Sequence, residues 1–282
     1  MQRIDFRSRT RSSDGSTENA DGGAPSDAAR SEDFAVGVPL AQVVPRTLEV
    51  SPTVVMLDQP RSVPAEKFRR LKTRLLNDYK DTLQLLVVTS PAPREGKSLV
   101  ALNLALAFST DPGQTLLIDA DLRRPTVQKR MSPAPGLGLA EVLKREAKLD
   151  HAIFRLKNAP LRVLPAGNPV QDPVELLSSD TAKSLFATLR ESFERIVVDT
   201  PPIVPFTDAD VLGGYSDGIL LVARAGSTPR SAFTQAVSLV TSTRILGTVL
   251  NDVTFTFADY GSHYDYYNSY YQEKHEGEES GK

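Results

Sequence analysis

LLVVTSPAPREGKSL, residues 85–99, has three parts, and their order decides the fold. Leu85-Leu86-Val87-Val88 is a continuous apolar run, the composition of a strand buried on both faces of a parallel sheet. Ser90 to Glu95, with two prolines, extends neither strand nor helix. Gly96-Lys97-Ser98 then opens a helical pattern in which Leu99, Leu102, Ala105 and Leu106 share a face. Strand, loop, Gly-Lys-Ser, helix is the layout of a P-loop. Its backbone N–H groups point inward at a phosphate, the lysine reaches the outer phosphates and the serine hydroxyl meets Mg²⁺. The usual spacing, G-x-x-x-x-G-K-[ST], puts a glycine where this chain has Pro91. A Gly-Lys-Ser at an ordinary helix start is the plainer alternative, so the neighbouring segments carry the decision.

Downstream, Asp111-Pro112-Gly113 breaks the helix and Thr115 to Ile118 is a second buried strand. It runs into Asp119-Ala120-Asp121-Leu122-Arg123. Carboxylates at the C-terminal end of a parallel strand stand where open α/β sheets place their ligands. If strand geometry persists, Asp119 and Asp121 point the same way. Such a pair can hold Mg²⁺ and orient a nucleophile; the plainer reading is a turn with two capping carboxylates. Arg195 to Asp199 is a third apolar strand with a terminal Asp, the shape of a Walker B element, and Thr200-Pro201-Pro202 stops it. Further elements are expected at 138–145 (helix), 161–164 (strand), 181–193 (helix), 218–223 and 245–250 (strands), with a helix over 227–242. Strands alternate with helices, so the expected architecture is α/β: a doubly wound, mostly parallel sheet of the P-loop NTPase fold.

Upstream, Pro64 to Lys80 reads as a helix with Phe68, Leu71, Leu75 and Tyr79 along one stripe and Lys67, Arg70, Lys72 and Arg74 opposite. Residues 1–50 are rich in Ser, Asp, Gly, Ala and Arg and read as a disordered N-terminal tail. The domain is expected over 60–257. Residues 258–282 read as a flexible tail containing Tyr260, Tyr264, Tyr266, Tyr267, Tyr270 and Tyr271, six of the eight tyrosines in the chain. Tyr260, Tyr264, Tyr267 and Tyr271 have helical spacing, so an aromatic stripe packed on the body is an open alternative. No Leu, Ile or Val supports that stripe, and its hydroxyls would be awkward to satisfy.

The 282 residues have 40% hydrophobic content, no cysteine and a net charge of −2. These values allow a sizeable core and exclude disulfides and thiolate metal sites. They give no general attraction to nucleic acid, and none is expected as a partner. No run approaches the ~18 apolar residues of a membrane span.

Taken together, the motifs resemble those of the bacterial tyrosine autokinases, or BY-kinases, which accompany capsule and exopolysaccharide export. Pro93-Arg94-Glu95-Gly96-Lys97-Ser98 resembles the family's Pro-Gly-Glu-Gly-Lys-Ser/Thr. Leu116 to Arg123 resembles its DxDxR motif, Ile196 to Pro202 its Walker B with DxPP, and the terminal tyrosines its autophosphorylation cluster. The resemblance covers roughly residues 60–271. It implies ATP and Mg²⁺ as cofactors. It implies nucleotide binding by Pro93, Arg94, Glu95, Gly96, Lys97, Ser98, Leu99, Arg123 and Asn251, and a metal site formed by Ser98, Asp119 and Asp199. The catalytic set would be Lys97, Asp119, Asp121 and Asp199, with Asp121 orienting the phenol. Arg123 is open to two roles, anchoring its loop or holding phosphate. Asn251 is an adenine contact by this resemblance, or else a buried strand-end amide.

The family's ExxRxxR helix, which builds a homo-oligomeric ring, stands here as Glu66, Arg69 and Lys72; lysine keeps the charge and loses the bidentate fork. Arg94 replaces a glycine, at a steric cost if that position needs φ > 0 and with an added positive charge near the phosphates if it does not. The resemblance also implies a cytoplasmic protein drawn to the inner face of the cell membrane by an adaptor of the polysaccharide co-polymerase type, and a phosphotyrosine phosphatase that resets the tail. Two other functions compete. A MinD- or ParA-like ATPase switch would carry an extra lysine early in the P-loop, absent here. A non-enzymatic export scaffold would have no physical need for Lys97, Ser98, Asp119, Asp121 and Asp199 together.

Overall fold

A computed structural model of the chain describes residues 47–50 and 54–253. The six clustered tyrosines and most of the expected N-terminal tail lie outside the described residues. Nine strands form one sheet: β1 (Thr47–Val50), β2 (Leu85–Thr89), β3 (Thr115–Asp119), β4 (Met131–Ser132), β5 (Phe154–Leu156), β6 (Leu161–Leu164), β7 (Arg195–Asp199), β8 (Gly218–Arg224) and β9 (Ile245–Asn251). Their order is β4-β1-β5-β6-β3-β7-β2-β8-β9. The block from β6 to β9 is parallel throughout, while β1 with β4 and β5 with β6 are antiparallel.

The helices are α1 (Val55–Asp58), α2 (Val63–Tyr79), α3 (Lys97–Phe108), α4 (Leu139–Leu143), α5 (Leu149–Ala152), α6 (Pro173–Ser178), α7 (Asp180–Ser192), α8 (Asp208–Gly213) and α9 (Arg230–Leu239). The apolar runs in β2, β3 and β7 are continuous because both sheet faces are covered. On one face Leu85, Val87, Leu116, Ile118, Ile196 and Val198 pack with Leu185, Phe186 and Leu212 from α7 and α8. On the other, Leu86, Val88, Leu117 and Val197 pack with Ala65 and Leu75 of α2 and with α3. Helix α3 lies between sheet and α2, so it is buried nearly all round rather than along one stripe. This is the expected doubly wound α/β architecture.

The structure corrects several boundaries. Two elements precede the expected domain start at residue 60. Strand β1 lies within the stretch read as tail, yet its Leu48 is buried, and α1 buries Met56. At four residues each, they show no periodicity for a sequence reading to detect. Helix α9 is shorter than 227–242: Pro229 precedes it in an extended conformation, and the Thr241 and Ser242 backbones donate to Asp210 instead of continuing the helix. Strand β3 stops at Asp119, so alternation does not carry through to Asp121.

The order places β2 between β7 and β8. The chain leaves β2 toward β3 on one side and later crosses to β8 on the other. This is the topological switch at which α/β sheets open a crevice, at the C-terminal ends of the strands. The P-loop follows β2 at this point.

Candidate active site

The loop between β2 and α3 closes on itself. Ser90 donates to the Ala92 carbonyl at 2.8 Å, and the Ala92 N–H donates to the Glu95 carboxylate at 3.1 Å. Two residues turn the chain into the helix with positive φ, Arg94 at 66° and Gly96 at 93°. Arg94 therefore carries the steric cost that a glycine would avoid. A Cβ on Gly96 would collide with the Asn251 amide. That amide donates to the Glu95 carbonyl at 2.9 Å, and Thr228 donates to the Glu95 carboxylate at 2.6 Å. The ends of β8 and β9 thus brace the loop from one side. Pro93 and Arg94 are exposed at its tip, and Leu99 is half-buried in the first turn of α3.

Lys97 and Ser98 begin α3. The Lys97 ammonium is nearly buried, 3.1 Å from Asp121 and 3.9 Å from Asp199. It also donates to the Ser98 hydroxyl at 3.2 Å. Burial pushes the lysine pKa down, but the charges of Asp199 and Asp121 outweigh it and leave the pKa above the ordinary value. The lysine is therefore charged throughout the physiological range.

Asp119 and Asp199 are register partners on adjacent strands and both fully buried. Burial pushes the Asp199 pKa up to about 6, with the Lys97 charge pulling the other way. Neither carboxylate oxygen of Asp199 has a hydrogen-bond partner within 3.5 Å among the described residues, and the nearby Ser98 hydroxyl helps to draw its pKa down. Burial, reinforced by the Asp199 charge, pushes Asp119 up to about 8. The Asp119 carboxylate is occupied by the following loop: it accepts from the N–H groups of Val127 at 3.1 Å, Gln128 at 3.2 Å and Asp121 at 3.3 Å. The structure thus brings Lys97, Ser98, Asp119, Asp121 and Asp199 together as expected, but turns Asp119 toward residues 121–128 and Asp121 toward the lysine.

Arg123 is engaged away from the P-loop. Its guanidinium makes a two-point ion pair with Asp208 at 3.1–3.3 Å and lies over the Phe206 ring, 4.4 Å from the centroid. Of the two roles open to it, loop anchoring is the one seen. Asp208 is fully buried and starts α8, so the ion pair ties the loop after β3 to the segment after β7. The expected oligomer residues have partners within the chain. Glu66 pairs with Arg69 at 3.1 Å, Arg69 also donates to the Pro60 carbonyl, and Lys72 pairs with Asp111 at 2.6 Å.

Some residues at the site escaped the sequence reading. Thr126 donates to Ser98 at 2.6 Å. The Gln128 side chain bonds both backbone groups of Gly167, at 2.9 and 3.0 Å. Asp208, Phe206 and Thr228 belong with them. Thr126 and Gln128 follow the DxDxR segment closely enough to be considered, but Asp208 stands 85 residues from Arg123 and Thr228 133 from Glu95, separations that only the fold closes.

The arrangement suits a nucleotide with its metal. Among the described residues no three His, Cys, Asp or Glu side chains cluster as a self-sufficient metal cage. Mg²⁺ seldom uses one, since nucleotide phosphates and waters supply most of its ligands. The two unbonded, buried oxygens of Asp199 beside the Ser98 hydroxyl fit a hydrated Mg²⁺ held in that way.

No protein-family model matches the chain. It is 33% identical over 201 residues to the tyrosine-protein kinase YwqD of Bacillus subtilis, an alignment covering 70% of this chain and 85% of that protein. It is 33% identical over 205 residues to the succinoglycan biosynthesis transport protein ExoP of Rhizobium meliloti, covering 70% of this chain but only 26% of that longer protein. Among solved structures, the kinase domain of the Escherichia coli tyrosine kinase ETK superposes with a TM-score of 0.65 at 26% identity. That match covers 73% of this chain and 84% of the domain.

Proposed function

The chain belongs to the bacterial tyrosine-protein kinases, and from that membership we propose that it is an ATP-dependent autokinase that phosphorylates the tyrosines of its C-terminal cluster. The observation that carries this reading is the buried Lys97, held at the head of a P-loop helix between Asp121 and Asp199. Lys97 and the loop amides hold the β and γ phosphates, the ammonium exchanging its contact with Asp121 for phosphate oxygen. Ser98 and Asp199 would hold the nucleotide's Mg²⁺ with Asp119 beside them, its carboxylate oriented by three backbone N–H groups. When bound, Mg²⁺ neutralises phosphate charge. Asp121, released from the lysine, orients the incoming phenol. The phenolic oxygen attacks the γ-phosphorus, the bond from that phosphorus to the β–γ bridging oxygen breaks, and ADP leaves. The phenolic proton passes to Asp121 or to water. A carboxylate is a weak base for a phenol of pKa about 10, but a loose transition state asks more for position than for basicity. Arg123 and Asp208 hold the Asp121 loop, and Pro93, Arg94, Glu95, Gly96 and Leu99 shape the nucleotide seat with Asn251 at its edge.

By the same membership we infer a homo-oligomer whose contacts use Glu66, Arg69 and Lys72, exchanging their intrachain partners for those of a neighbour. A role in polysaccharide export is supported by the similarity to a succinoglycan transport protein. No helix among the described residues is long and apolar enough to cross a membrane. By the same membership, recruitment to the inner face of the cell membrane would use an adaptor of the polysaccharide co-polymerase type, with a phosphotyrosine phosphatase as the opposing activity.

The test is incubation of the purified chain with Mg-ATP and detection of phosphotyrosine, beside Lys97→Met and a chain ending at Asp259. Phosphotyrosine in the intact chain alone is the expected result. Steady phosphate release without phosphotyrosine would replace the kinase with an ATPase switch.

A further inference from the structure

Lys97 stands between Asp121 and Asp199, so the charges at the floor of the site are largely spent on one another. Attraction for a charged acceptor peptide then depends on the cations that line its approach. Two exposed cations stand on the loop that bonds to that floor. Arg124 is fixed by its own backbone N–H, which donates to Asp121 at 2.9 Å. Lys129 follows Gln128, whose N–H donates to Asp119 at 3.2 Å. Neither has an ion-pair partner among the described residues, whereas the adjacent Arg123 is committed to Asp208. Arg94 adds a third exposed charge from the P-loop tip.

The candidate acceptors carry the complementary pattern. Each of the six clustered tyrosines has Asp259, Asp265 or Glu273 within three residues, and no Lys or Arg occurs between Asp252 and Lys274. We propose that Arg124 and Lys129, supported by Arg94, form a cationic rim that selects tyrosines set in acidic sequence. The inference rests on the kinase reading above and adds its substrate class. A rim of this kind acts on encounter and binding, so it should appear in KM and in salt dependence while leaving the chemical step alone.

The experiment offers the full-length protein two synthetic peptides: residues 258–273, and the same peptide with Asp259, Asp265 and Glu273 replaced by Asn, Asn and Gln. Transfer and binding are both measured, the latter by fluorescence anisotropy with Mg-ADP present. The acidic peptide should show a KM about fivefold or more below that of the neutral one at low salt. The gap should close in 0.5 M salt, where the Debye length is only about 4 Å. It should also close in Arg124→Gln/Lys129→Gln with kcat and the KM for ATP unchanged. Anisotropy should show binding of the acidic peptide weakening in that variant and again when Arg94→Gln is added. Equal KM values for the two peptides, or a preference undiminished in the double variant, would overturn the rim while leaving the kinase standing. Preferential binding of the acidic peptide with no transfer to any tyrosine would overturn the kinase reading while leaving the rim standing.

Discussion

The two ends of strand β2 treat their carboxylates in opposite ways. At its N-terminal end, Asp217 accepts from the N–H groups of Gln84 and Leu85, both at 2.7 Å, and from Arg190 at 2.9 Å. Gln84 donates to two carbonyls, and Arg190 also donates to Gln84 and to the Tyr215 carbonyl. This end is a closed polar network. At the C-terminal end, where β2 pairs with β7, the Asp199 carboxylate is buried with neither oxygen hydrogen-bonded. A buried carboxylate without hydrogen bonds costs stability, and native structures keep few of them. The contrast separates a network that holds the sheet together from a carboxylate whose hydrogen-bonding capacity is left open.

The contrast can be broken at either end. The largest effect is expected from Lys97→Met, which should lower phosphotyrosine formation by about 10³-fold or more, since charge stabilisation at the transferring phosphoryl group is the main catalytic contribution in this chemistry. At the other end, Asp217→Ala removes the acceptor of two backbone N–H groups and the only carboxylate that Arg190 pairs with among the described residues. It should cost about 2–4 kcal/mol in chemical denaturation while leaving kcat of the folded protein unchanged.

Asp199→Asn sharpens the comparison. The folded pKa of Asp199, about 6, lies above its ordinary 3.8. Its contribution to stability is therefore full below the ordinary value and is lost as pH rises through about 6. Asparagine mimics the protonated form, so without nucleotide the variant should melt several degrees higher than the wild type at pH 8. That advantage should shrink on going down to pH 4. A substitution that stabilises the fold while abolishing transfer is what a site kept at a cost to stability should show. The smallest effect is expected from Arg94→Gly. Relief of the left-handed arginine should raise stability by about 1 kcal/mol, readable as a shift of a few degrees in Tm.

The same comparison explains what was legible in the sequence. Strands β2, β3 and β7 were readable because burial on both faces forces uninterrupted apolar runs. Lys97, Ser98, Asp119, Asp121 and Asp199 were readable because each follows such a run at a fixed offset. The closing contacts were not. Asp208 reaches Arg123, and Thr228 reaches Glu95, only after β7, β8 and β9 have stacked beside β2. Strands β1 and β5 are too short to show a period, and the shared direction expected for Asp119 and Asp121 assumed a strand that ends two residues too soon.

The most direct measurement is the thermal shift of the wild type and of Asp199→Asn with ADP alone and with ADP plus Mg²⁺. The expected result is that both proteins gain stability from ADP, and that the further increment from Mg²⁺, present in the wild type, is lost in the variant. An equal Mg²⁺ increment in both would contradict the assignment of the Asp199 carboxylate to the nucleotide-bound metal.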